Sequence, residues 1–167
     1  MDRAMASSLG SRRCGSAALV ALVCALLAVP AAGQSIVEER PLSFGRLAIA
    51  SNVMAGSVTI GSNGTTTTTG SVISVVRGTP GRYRITGLPA QSPVSLSYAS
   101  TPLYRGGMAG GPVYLSIDAV LAPATAVTDG TGTANIELGA TLMTSGDGNP
   151  YGDGSYQGDI LITVTVP

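Results

Sequence analysis

The sequence predicts an all-β protein, an antiparallel β-sandwich of about 7–9 strands that follows a cleaved signal peptide. Three observations predict it. Helix patterns are almost absent after residue 34, because Gly and Pro interrupt every candidate window and Val, Ile and Thr fill the runs between them. Short alternating runs recur at a spacing of roughly ten residues, each bounded by turn residues. The N-terminus has the three-part form of a secretion signal.

The signal comes first in the chain. Arg3, Arg12 and Arg13 give a positive start, and Ala17 to Val29 is an uninterrupted apolar run. That run is short for a helix crossing a hydrocarbon core of about 30 Å, so a retained membrane anchor is the poorer reading. Pro30 breaks it, and Ala31-Ala32-Gly33 offers small residues for cleavage, after Gly33 or after Ala31. No Cys follows the run, so a lipid anchor there is not expected. Residues 1–33 are read as the signal and 34–167 as a single β-sandwich domain. Both cysteines, Cys14 and Cys24, fall inside the signal, which leaves the processed chain without disulfide or thiol chemistry in a disulfide-permissive compartment.

The elements then follow in order. Ser43 to Ala50 reads as a strand with Gly45 as a bulge or close-approach point. Gly56 to Ile60 is the next, closed by Gly61-Ser62-Asn63-Gly64, where Asn-Gly is a strong hairpin signal because both residues tolerate positive φ. The strand resumes from Thr65 to Val76 with Gly70 inside it, and Arg77 to Gly81 turns the chain. In Arg82 to Thr86, Tyr83 and Ile85 alternate inward while the two arginines face water. Val94 to Tyr98 and Val113 to Leu121 are further strands, and Asp129-Gly130 is a turn. Thr133 to Leu142 places Ala134, Ile136, Leu138 and Ala140 on one face. Tyr156 to Val166 is one long strand pattern with Ile160, Ile162, Val164 and Val166 on one face. No repeat of fixed period is present, so a solenoid or propeller is not expected.

Charge and chemistry narrow the function. The processed chain carries six Arg against eight acids, dispersed, with no Lys and no His. It has no basic stripe for nucleic acid, no polybasic segment for anionic lipid and, after the signal, no apolar run able to span a membrane. Nucleophilic catalysis by Ser or Thr needs a base, usually His or Lys, and neither is present. Asp147, Asp153 and Asp159 are near enough in sequence to be imagined as a glycosidase pair, but two of them belong to Asp-Gly turns. The loop Asp147 to Asp153 offers alternating oxygens for calcium yet lacks the downstream bidentate Glu of a helical calcium loop. No catalytic, cofactor-binding or metal-ligating residue is assigned, and no cofactor is expected.

Three weaker patterns remain. Thr65 to Thr69 reads as a solvated strand face, with an O-glycosylated patch as the sharper reading. Asn63-Gly64-Thr65 matches a glycosylation sequon and reads as a hairpin turn. Tyr98, Tyr104 and Tyr114 flank the Gly-rich segment Gly106 to Gly111 and would suit sugar or peptide binding, against the plainer reading of core and edge tyrosines.

Several blocks resemble a family of bacterial secreted, pilin-like proteins classed as a domain of unknown function and common in alphaproteobacteria. Phe44-Gly45 followed by Leu47 resembles its opening strand, and Gly56 to Ile60 with Asn63-Gly64-Thr65 its second strand and turn. Tyr83 to Pro89 resembles its central block, Gly132 to Leu142 its penultimate strand, and Gly154-Ser155-Tyr156-Gln157-Gly158 leading into Ile160 to Val166 its closing strand. Pro167 departs from the polar or aromatic finish of that family. The resemblance implies an immunoglobulin-like β-sandwich that is exported and open to assembly on the surface, with no catalytic residues. It implies that Gly45 and Gly158 are bulge or crossing positions and that Tyr156 anchors the last strand, ring buried and hydroxyl bonded. The expected partners are like subunits, by self-association or strand exchange, and an export chaperone. Gln34 to Arg40 is the candidate donor strand, although Ile36 and Val37 are its only large apolar residues. The alternative is a monomeric secreted module that binds a glycan or a protein.

Overall fold

The computed structural model describes residues 33–107 and 114–167. The predicted signal as far as Ala32, with both cysteines, lies outside the described residues, as does 108–113 of the Gly-rich segment. The described chain contains no helix and thirteen short strands: β1 (Ser35–Arg40), β2 (Arg46–Ile49), β3 (Ser57–Ile60), β4 (Thr66–Thr69), β5 (Val72–Val76), β6 (Gly81–Thr86), β7 (Pro93–Ser100), β8 (Leu103–Arg105), β9 (Tyr114–Leu121), β10 (Thr125–Val127), β11 (Ala134–Met143), β12 (Tyr156–Gln157) and β13 (Ile160–Thr165). The fold is an all-β sandwich of antiparallel sheets that curl as a half-barrel.

The larger layer runs in the order β1-β6-β11-β9-β8-β12, with β3 also joined to β11 and β4 to β3. Its centre is β11, the longest strand, which pairs with β6 through 134–138 and with β3 through 140–143. The predicted inward face of β11 is fully realised: Ala134, Ile136, Leu138 and Ala140 are all buried, Leu138 completely. Alternation at a period of two gives a strand one wet and one dry face, and here the dry face is covered by two separate small sheets. Beneath β2-β5 lies a core of Phe44, Val58, Ile60, Val72, Leu115 and Leu142. Beneath β10-β7-β13 lies a second, of Ile85, Leu88, Val94, Leu96 and Ile136.

Two predicted strands are each cut in two. Within Thr65 to Val76 the chain turns at Gly70, whose φ is +63°, so β4 stays with β3 while β5 leaves to pair with β2. Only a residue without Cβ fits there, because an added methyl would sit 2.9 Å from the Gly56 Cα. Within Tyr156 to Val166 the break falls at Gly158-Asp159, so β12 pairs with β8 in the large layer and β13 with β7 in the small one. Gly158 is therefore a crossing position, close against the carbonyl of Pro102. Gly45 has a φ of +76° and precedes a register shift between Arg46 and Leu47. The Asn63-Gly64 hairpin forms, with Gly64 N–H donating to the Gly61 carbonyl at 2.9 Å and Asn63 Oδ1 accepting from Thr65 N–H. Strands β1, β8 and β10 have no counterpart in the predicted set. They are three to six residues long and gain their order from neighbours rather than from their own pattern.

Candidate functional site

The two small sheets do not meet. Among the described residues, β2 pairs only with β5 and β13 only with β7 in the small layer, so there each keeps one edge without a ladder partner. A groove of about 1320 Å³ opens between β2 on one side and the stretch from Gly154 to Ile160, which leads into β13, on the other. Its floor is apolar: Leu103 of β8, Leu115 and Ile117 of β9, and Leu142 of β11. Phe44, Leu47 and Ile49 add apolar side chains from the β2 side. Backbone N–H and C=O groups on a free edge bind any strand that lies alongside, and an apolar floor accepts every second side chain of that strand.

The groove holds few groups able to do chemistry. Glu38, Arg46, Asp153 and Asp159 are its charged lining residues. Asp147 does not line it, so the three acids imagined as a catalytic set are not brought to one surface of the groove. Asp147 is engaged in its own loop, where its carboxylate accepts from Asn52 Nδ2 at 2.9 Å and from the Asn149 backbone and side chain at 3.0 Å. Its carboxyl is held below the ordinary carboxylate value, most by the Asn149 side chain, then by the Asn149 backbone N–H and the Ser145 side chain. Calcium on this loop would have to displace those donors, and among the described residues no group of three or more His, Cys, Asp or Glu is placed to hold a metal ion. Asp129 behaves alike: it accepts from the hydroxyl and N–H of Thr131 and from Thr133 N–H, which lowers its pKa and closes the predicted Asp-Gly turn.

Asn52 organises this end of the domain, and the sequence pattern does not single it out. It is buried, donates to Ser145 Oγ, Asp147 Oδ1 and the Asn149 carbonyl, and accepts from Gly146 N–H. One buried amide thus ties the loop after β2 to the loop after β11. No local pattern around Asn52 marks it, since its partners lie more than ninety residues away. Beside it Val53 and Met54 are 75% and 79% exposed, an apolar tip on a rigid base.

The tyrosines divide. Tyr104 and Tyr114 face each other across β8 and β9 with ring centres 5.7 Å apart. Tyr98 is elsewhere, packed on the second core with its hydroxyl donating to the Pro123 carbonyl, and burial raises its pKa. The three therefore do not form one aromatic rim. Tyr156 packs against the first core at the start of the closing strand pattern, and its hydroxyl donates to the Gly152 carbonyl. The ring is half-buried rather than fully enclosed, because it stands at the open groove.

The remaining feature is β1. Among the described residues it forms the edge of the large layer, paired only with β6, and all six of its residues are exposed. Its charges reach across the sheet: Glu39 pairs with Arg84, and Arg40 with Glu137, which also holds Arg82. Tyr83, beside Glu38, has a raised pKa, first from burial and then from the negative charge of Glu38 and a hydrogen bond to it.

Residues 35–166 match the family model described as Domain of unknown function (DUF4402). The chain belongs to this DUF4402 family. The matched span takes in every strand, from the first residue of β1 through β13, so both the edge strand and the groove lie within the family's domain. No curated protein and no solved structure matches the chain.

Proposed function

We propose that this DUF4402 chain is an exported, non-catalytic structural β-domain, a pilin-like subunit of the bacterial surface that associates with copies of itself. The observation that carries the reading is the unfinished small layer: among the described residues β2 keeps a free edge beside a groove of about 1320 Å³ whose floor is Leu103, Leu115, Ile117 and Leu142. An exposed apolar surface of that kind on an exported domain calls for a covering partner. A strand added along β2 pairs with its free edge and lays alternate side chains on the floor. An export chaperone that covers the groove before assembly fits the same chemistry. The acidic loops support the non-catalytic part, because Asp129 and Asp147 spend their carboxylates on their own turns.

A second reading, a monomeric module binding a glycan or protein, draws on the half-exposed Tyr104–Tyr114 pair. The two are separated in a bacterial host expressing the full chain, by protease shaving of intact cells and electron microscopy. Surface fibres or sheets built of this chain support the subunit reading. A periplasmic or released monomer with saturable ligand binding supports the module.

A further inference from the structure

Strand β1 is held at the surface of the described domain. None of the residues of β1 enters either core, and what holds it is a ladder to β6 and a set of exposed charges. The pairing runs from Ser35 opposite Thr86 to Arg40 opposite Arg82, with an irregularity at Glu39. Side chains add the Arg84–Glu39 pair, Arg40 to Glu137 at 3.1 Å, and Arg40 Nε donating to the Pro80 carbonyl at 2.8 Å. Exposed ion pairs hold weakly and are screened by salt, so such a strand opens at a small fraction of the cost of unfolding the domain.

The fixed body begins abruptly after it. Ser43 and Thr79 exchange backbone hydrogen bonds of 2.9 and 2.8 Å, and Phe44 is buried in the first core. Only Pro41 and Leu42 stand between that anchor and the arm. Proline keeps the preceding residue, Arg40, extended, so the arm stays a ready-made strand up to its last residue.

When the arm lifts, the edge of β6 is bared above Ile85, a residue with no exposed surface. The vacated edge fits one occupant already demonstrated by the fold, the same six residues of another copy. We propose that β1 is an exchangeable arm: in assembled material Ser35–Arg40 of one copy pairs with β6 of a second copy. This rests on the self-association reading above and names how the copies are joined. The ladder and ion pairs that form between copies are the same ones that break within each copy, so the exchange is decided by the two-residue hinge and by protein concentration. Reciprocal exchange closes a dimer, and serial exchange runs on into a chain.

Mixed single-cysteine copies test it. The cysteines of the sequence are Cys14 and Cys24, both within the predicted signal, so a cysteine introduced later is unique in the processed chain. Val37 and Arg84 are ladder partners, as are Ser35 and Thr86, whose use leaves the Arg84–Glu39 pair intact. Copies carrying Val37→Cys are mixed with copies carrying Arg84→Cys, and separately Ser35→Cys with Thr86→Cys. Each mixture is brought to assembling concentration and treated with a short thiol–thiol crosslinker. Exchange predicts covalent dimers in both mixtures, and their complete loss when the mixtures are held at dilutions where the chain is monomeric. Assembled material with no such dimers, whose Val37→Cys/Arg84→Cys double variant closes only within one chain, overturns the arm exchange and leaves self-association standing. So does crosslinking of Val37→Cys to Ala48→Cys on β2, which would put the arm in the groove. A wild-type chain that never assembles fails the underlying reading instead, and the exchange with it.

Discussion

Replacing Asn52 by Ala should cost the domain about 2–4 kcal/mol. The amide makes one accepted bond, from Gly146 N–H at 3.0 Å, and its two hydrogens are shared among three acceptors at 2.8–2.9 Å. Three well-made bonds at about 0.5–1.5 kcal/mol each span roughly 1.5–4.5 kcal/mol. The upper part of that range applies because Asn52 is only 5% exposed, and truncation leaves its partners unpaired where water enters poorly. At about 4 °C per kcal/mol for a domain of this length, the melting midpoint should fall by about 8–16 °C. Urea titration and thermal melting of the processed chain, both followed by circular dichroism, measure it. Val53→Ala next door is the control, since that side chain is 75% exposed and its loss should stay within about 0.5 kcal/mol. Asn52→Asp should be worse than Ala at neutral pH, because it sets a second carboxylate against Asp147, and should recover as the pH falls into the carboxylate range. An Asn52→Ala loss below about 1 kcal/mol would refute the claim that this amide staples the two loops.

Three further outcomes follow from the same geometry. Leu138→Ala, at a fully buried position of β11, should cost about 2–5 kcal/mol in urea denaturation, whereas Leu161→Ala, 66% exposed, should cost little. Asp129 and Asp147 have lowered pKa values, so their contribution is complete above the unfolded value of 3.8 and is lost as pH falls through the lower folded values. Denaturation midpoints should therefore hold steady down to about pH 4 and drop below it, with a shallower drop in Asp147→Asn. Tyr83 titrates the other way: its folded pKa is raised above 10.0, so its contribution is complete below that value and disappears as pH rises through the folded one. Tyr83→Phe should flatten the alkaline limb of the stability profile.

Much of the fold was legible because period-two alternation reports burial directly. The inward residues of β11 and the Tyr83 and Ile85 face of β6 follow from it. What alternation does not report is which sheet a strand joins. Thr65 to Val76 and Tyr156 to Val166 each read as one strand, yet Gly70 and Gly158 send their halves to different sheets. Both glycines are plain in the sequence, but their meaning depends on neighbours distant along the chain. The groove is hidden for the same reason, since its floor gathers Leu103, Leu115 and Leu142 from three strands. Gln34 to Arg40 stands out as a candidate donor by its position alone. Its weak apolar content has a structural counterpart, because in the folded chain it lies at a sheet edge and none of its residues is buried.

The most direct test of the account is the mass distribution of the processed, exported chain, measured by size-exclusion chromatography with light scattering over a wide range of concentration. The account predicts a ladder of higher-mass species that grows with concentration, appears as filaments or sheets by microscopy, and is lost when residues 34–40 are deleted. A monodisperse, stably folded monomer at every concentration would contradict it.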